Sequence, residues 1–262
     1  MAAAAHGGLS PAPAPRLLAL GDAAWTVEFG AVIEPALHAR VLALAAAVRA
    51  ACVRAEAPWT AVEDVVPTFR SLTVHHDPLA GQGLALGQAL LALAQQVEAV
   101  PVVGRRWVLP ACFDPALAPD LGALAARQGL PPAAVIDALL QTELRVYQIG
   151  FMPGFPYMAG VPPALQVPRL PIPRKAVPPG SIALAGAMCA VYPWESPGGW
   201  HLIGRTPALL WDLRRTPPAL LASGDTVRWC AVDRATYDRL LHAARSGELD
   251  PAVWCETPGG YG

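Results

Sequence analysis

The chain has 262 residues, 54% of them hydrophobic, and a formal net charge of −1. That length suits one large domain or two small ones, with enough apolar residues for a sizeable core. A near-zero charge excludes the basic excess that a nucleic-acid surface needs. The 29 prolines and 23 glycines gather in the C-terminal half, which points to turns and irregular β structure there. Cys52, Cys112, Cys189, Cys230 and Cys255 are odd in number and never spaced C-x-x-C. They predict reduced thiols in a cytoplasmic protein, not a disulfide framework or a structural zinc site.

Residues 1–16 read as a disordered Ala/Pro/Gly-rich leader without the basic start of a signal peptide. No charge-free run of about 18 apolar residues occurs, so no membrane span is expected. Leu17–Leu20, Gly21-Asp22 and Ala24–Phe29 predict a β-hairpin. From Glu34 to Glu56, Leu37, Val41, Leu44, Ala45 and Val48 recur at helical spacing. Val62–Val66 and Ser71–His75 predict strands, and Leu84–Val97 a second helix. Together, residues 17–100 fit a small α/β plait.

The pattern breaks near Val100 and a second domain, residues 101–246, is expected. It opens with a strand at Trp107–Ala111. Helices follow at Asp120–Gln128, with Gly129 as its C-cap, and at Pro132–Gln141. After a strand at Leu144–Gly150, short apolar runs punctuated by Pro and Gly continue to Val232, as in a closed or nearly closed β-barrel. Asp233–Ser246 predicts a last helix and residues 247–262 a tail.

The most informative stretch is Tyr192 to Pro207, which mixes aromatics, an acid, a hydroxyl, an imidazole and a guanidinium between turn formers. Gly198-Gly199 lets backbone approach a neighbour closely. Phe151, Phe155 and Tyr157, set among prolines, form either an aromatic pocket wall or the plug of a barrel end. Arg169, Arg174 and Lys175 are either a carboxylate or phosphate clamp or a solvated loop, and Ser181 follows in a turn. Glu195 is either a general base or the partner of Arg205; Ser196 precedes a proline and lies outside a nucleophile elbow. His75-His76-Asp77 is not a metal site, because neighbouring strand residues point to opposite faces. No phosphate loop, dinucleotide fingerprint or H-E-x-x-H is present.

Taken in order, several motifs resemble the KipI/5-oxoprolinase B-subunit family, also called allophanate hydrolase subunit 1. They are Gly21-Asp22, Val27–Gly30, Val66–Leu72, Asp77-Pro78, Ala118–Leu121, Gly150–Tyr157, Pro168-Arg169, Pro173-Arg174, Val177–Ser181, Tyr192–Pro207 and Gly224–Arg228. The resemblance implies an α+β chain with a ferredoxin-like N-terminal domain and a cyclophilin-like β-barrel. It implies one component of an ATP-dependent lactam- or amide-hydrolysing complex; with no identifiable phosphate cradle of its own, the chain is expected to be inactive alone. The partners would be a KipA-like protein of the C type and a third, LamB/YcsF-like protein of the A type. On that basis Glu195, Arg205 and His201 are the expected catalytic residues, with Phe155, Tyr157, Arg174, Ser181, Tyr192, Ser196 and Trp200 lining the substrate site. Two alternatives come with the resemblance: a regulatory module restraining a sensor histidine kinase, and the carboxyltransferase half of a urea carboxylase-like system. The sequence departs from the family at Cys112–Asp114, where Tyr-Gly-Gly is usual. It departs again at Leu139, often His, and at Ala187–Ala190, often Gly-Gln-Thr-Gly.

Overall fold

The computed structural model describes residues 14–99 and 103–256, and the chain divides into two compact units at Val102/Val103. Residues 1–13 and 257–262 of the expected leader and tail lie outside the described residues.

The first unit is a four-stranded antiparallel sheet with two helices. Strands β1 (Arg16–Ala19) and β2 (Ala24–Glu28) form the expected hairpin, followed by helix α1 (Pro35–Val53). Strands β3 (Val62–Pro67) and β4 (Ser71–His76) form a second hairpin, followed by α2 (Gly83–Gln96). The sheet order is β1-β2-β4-β3. This hairpin–helix–hairpin–helix order is not the β-α-β-β-α-β order of a ferredoxin-like plait. The four strands and two helices follow one another in the order expected from the sequence, and the opening hairpin is what departs from the ferredoxin-like pattern. Alternation along β4 buries Leu72, Val74 and His76 on one face. Leu37, Val41, Leu44 and Val48 of α1 and Leu86 and Leu90 of α2 join that core. Helix α1 is long and apolar enough to cross a membrane by composition alone, yet those leucines and valines are buried in the unit's own core.

The second unit is built on an eight-stranded sheet. Its strands are β5 (Arg106–Ala111), β6 (Leu144–Ile149), β7 (Pro156–Ala159), β9 (Ser181–Ala185), β10 (Met188–Val191), β12 (His201–Arg205), β13 (Thr226–Ala231) and β14 (Cys255–Glu256). The order is β12-β9-β10-β7-β6-β13-β5-β14, with only β13 and β5 parallel. A separate ribbon pairs β8 (Arg174–Val177) with β11 (Ser196–Gly198). Helices α3 (Leu121–Gln128), α4 (Pro132–Leu140) and α5 (Arg234–Ser246) complete the unit.

Of the closed or nearly closed barrel expected, the closed form is not found among the described residues. Strand β14, drawn from the segment expected as a tail, pairs with β5 at Arg106 and Trp107 and takes the edge where a closing ladder would run. Among the described residues the two rims meet at one isolated bridge, where Cys112 and Arg205 exchange backbone hydrogen bonds of 2.8 and 2.9 Å. Gly204 permits that approach, since a Cβ there would lie 3.0 Å from the Phe113 ring and 3.2 Å from the Cys112 carbonyl oxygen.

Strand β9 is buried on both faces. Ile182 and Leu184 face the main core with Leu121, Leu124, Val135 and Leu139 of α3 and α4. Ala183 and Ala185 face a smaller aromatic cluster on the other side. Leu139 is therefore fully buried packing, and the departure there concerns the core.

Asp225 ties the parallel strands together. Its carboxylate, 3% exposed, accepts from the Arg105 backbone N–H at 2.9 Å, the Arg105 guanidinium at 2.8 Å, the Trp107 indole at 3.0 Å and the Ala222 N–H at 2.9 Å. Asp225→Ala strands these donors and is expected to cost about 3 kcal/mol of stability. Chemical denaturation checks this; an unchanged midpoint would contradict it.

Candidate functional site: an aromatic groove beside Arg169

The site begins with the loop between β6 and β7. Phe151 adopts φ 69°, a left-handed conformation costly for a bulky residue, and its ring is 65% exposed. Such strain persists only where surrounding structure enforces it, and it clusters at binding sites. Here Gly150 N–H donates to the Phe155 carbonyl and Phe155 N–H to the Met152 carbonyl, each at 3.1 Å. The turn places Phe151 edge-on to Phe155, with centroids 5.4 Å apart. Phe155 in turn contacts Tyr157 at 4.9 Å and Tyr192 at 5.1 Å, and Tyr157 meets Trp200 at 6.0 Å. The small residues Ala183, Ala185 and Ala190 leave room beneath these rings.

The rings form one wall of an open groove of about 490 Å³, whose other side is Arg169, Leu170, Pro173 and Gly198-Gly199. Gly198 is required: a Cβ there would lie 2.3 Å from the Tyr192 hydroxyl. The Arg169 guanidinium sits 5.7 Å over the Trp200 ring. It makes no ion pair among the described residues. Its charge reaches both phenols. Burial raises the pKa of Tyr157, and nearby Arg169 opposes the rise. Burial and the neighbouring Tyr157 raise Tyr192, with Arg169 and Arg174 opposing.

The expected site residues divide by role. Phe155, Tyr157, Tyr192 and Trp200 are brought together along the groove. Arg174 is committed to structure. It donates to the Asp120 carboxylate at 2.5 Å and to the Trp200 carbonyl at 3.3 Å. Asp120 also accepts the Leu202 N–H at 2.6 Å, so β8 and β12 are pinned to the start of α3. His201 acts as a staple: its Nε2 lies 3.0 Å from the Pro168 carbonyl, so that nitrogen carries the proton. Leu170 N–H adds a third tie, to the Gly199 carbonyl at 2.7 Å. Ser181 is fully buried and donates to the Pro178 carbonyl at 2.7 Å, while buried Ser196 reaches only the Pro197 carbonyl at 3.4 Å.

Glu195 is exposed and makes no ion pair with Arg205, which lines a different cavity. Met188 packs against the aromatic cluster, so that departure adjoins the groove. Among the described residues no group of three His, Cys, Asp or Glu could hold a metal ion. His76 is buried on the helix-facing side of β4 and its neighbour His75 alternates to the other.

The carboxyltransferase domain, subdomain C and D, matches residues 15–221. The B subunit of 5-oxoprolinase from Bacillus subtilis (strain 168) is 34% identical over 233 residues, 83% of this chain and 93% of that protein. The chain belongs to the 5-oxoprolinase B-subunit family. The Escherichia coli O157:H7 member is 36% identical over 168 residues, 64% of this chain and 77% of that protein. Among solved structures, TTHA0988 is 36% identical with a TM-score of 0.67 over 80% of this chain, which spans only 40% of that one. The Kluyveromyces lactis urea carboxylase has a TM-score of 0.73 at 18% identity, over 90% of this chain and 23% of that chain; it shares the fold.

In this family member the groove phenols are expected to stay neutral beyond the ordinary value of 10.0. Because the folded values are raised, the stability carried by the neutral phenols is fully present below about pH 10 and is lost as pH rises through the folded values. A difference titration of phenolate absorbance against Tyr192→Phe checks this. A Tyr192 midpoint at or below 10 would contradict it.

Proposed function

We propose that this chain is part of a complex that hydrolyses 5-oxoproline or a closely similar lactam at the expense of ATP, and that the aromatic groove receives the substrate. The observation that carries the reading is an uncommitted arginine, Arg169, poised over an aromatic wall. A small lactam carboxylate has two recognisable parts. The guanidinium takes the carboxylate through paired donors, and the faces of Tyr157 and Trp200 take the ring. Relatives that are B subunits of 5-oxoprolinase supply the substrate class.

The groove is open on one side, and its titratable groups are phenols with raised pKa values and an arginine. A general base and water-activating group would therefore come from a KipA-like partner closing over the groove. Among the described groove-lining residues Arg169 is the lone cation, which suits one carboxylate and does not fit a triphosphate. ATP in this reading binds outside the groove, and no step through it is assigned to these residues. Asp120, Arg174 and His201 act as positioning residues that hold the Pro168–Arg174 segment against Trp200.

In the complex reconstituted with its KipA-like and LamB/YcsF-like partners, Arg169→Ala is expected to lower kcat/KM for 5-oxoproline at least tenfold, about 1.4 kcal/mol, mainly through KM. Glutamate formation measured against substrate concentration checks this. Kinetics unchanged from wild type in an assembled complex would overturn the assignment of Arg169.

A further inference from the structure

The run from Tyr192 to Pro207 serves two cavities, with Tyr192 and Pro197–Trp200 in the groove. Pro193-Trp194 and Arg205–Pro207 line a second cavity of about 540 Å³ together with Tyr237, Leu241 and Arg245 of α5. Arg205 is held rigidly there. It pairs with Ser181 in the β9–β12 ladder and exchanges both backbone hydrogen bonds with Cys112. Its Nε is buried without a hydrogen-bond partner, an unmet donor in a place water does not reach. The guanidinium lies beside the Tyr237 hydroxyl, where its charge and that of Arg245 oppose the rise that burial imposes on the phenol.

The acid in this cavity is already used. Asp212 accepts from Nε and Nη2 of Arg214 at 2.9 and 2.6 Å, which holds its carboxyl down at about 2. Arg205 and Arg245 make no ion pair among the described residues, so the cavity carries an excess of positive charge with no acid left to answer it. The remaining walls are flat and apolar: Trp194, half exposed, with Trp211, Pro207 and Leu209. Two guanidinium groups beside planar walls recognise an oxyanion attached to a ring.

We propose that this cavity is a second small-molecule site, taking a planar ring-bearing oxyanion, a carboxylate or a phosphate monoester, with Arg205 and Arg245 on the oxyanion and Trp194 against the ring. The site stands apart from the groove and does not rest on the function proposed for it.

The test is calorimetric titration of the full chain with benzoate and with phenyl phosphate, using benzyl alcohol as the neutral control. Saturable binding of either anion without binding of the alcohol is expected, and the arm that binds more tightly identifies the oxyanion. Arg205→Gln and the exposed Arg245→Ala should each weaken binding about tenfold or more. Arg169→Ala should leave it unchanged. Arg245→Ala keeps the test intact if Arg205→Gln does not fold. No saturable binding of either anion, binding indifferent to both substitutions, or binding abolished by Arg169→Ala would overturn the proposal.

Discussion

Asp120 holds the site together. One carboxylate at the start of α3 accepts the Leu202 N–H from β12 and the Arg174 guanidinium from β8, while Arg174 reaches on to the Trp200 carbonyl. Because Asp120 N–H also donates to the Leu202 carbonyl, helix and strand are joined in both directions. Charge-assisted hydrogen bonds in a partly buried setting are stronger than neutral ones. The Leu170 and His201 contacts and the pairing of β8 with β11 hold the same Pro-rich segment over Trp200. Arg169 sits on that segment, so its position depends on a carboxylate it never touches.

The arrangement separates packing from chemistry on the same strands. On β9, alternate residues serve the main core and the aromatic cluster, and the second set are alanines that leave depth for rings. Rings then face rings edge-on, an arrangement favoured by the aromatic quadrupole. The left-handed backbone at Phe151 is the local cost of placing one more ring at the mouth. A rigid aromatic wall with one uncommitted cation is well suited to hold a small anion. Among the described residues that line it, the titratable groups are phenols and one arginine.

Much of the secondary structure was legible in the sequence because it rests on local rules. Helical spacing marked α1 and α2, Gly129 marked the end of α3, and Gly21 marked the first hairpin. What failed was long-range pairing. Short runs between prolines look alike whether a sheet closes or stays open, and nothing local shows that Cys255-Glu256 occupies the free edge of β5. In the first unit the element order was legible, hairpin start included; that hairpin is what sets the unit apart from the split β-α-β start of a ferredoxin-like plait.

The aromatic half of the site was legible; the charged half was not. Phe155, Tyr157, Tyr192 and Trp200 come together because bulky rings in a Pro/Gly frame have few other places to pack. Arg174 and Arg205 looked equivalent to Arg169 in one dimension, but one is paired with Asp120 and the other faces another cavity. Asp120 itself passed as an ordinary first residue of a helix; it makes no cap hydrogen bond and reaches across to another strand instead. The most direct measurement is an experimental structure of the chain assembled with its partner and 5-oxoproline. The substrate carboxylate is expected within about 3 Å of the Arg169 guanidinium, with its ring against Trp200. Substrate held away from the groove, for example at Arg205, would contradict it.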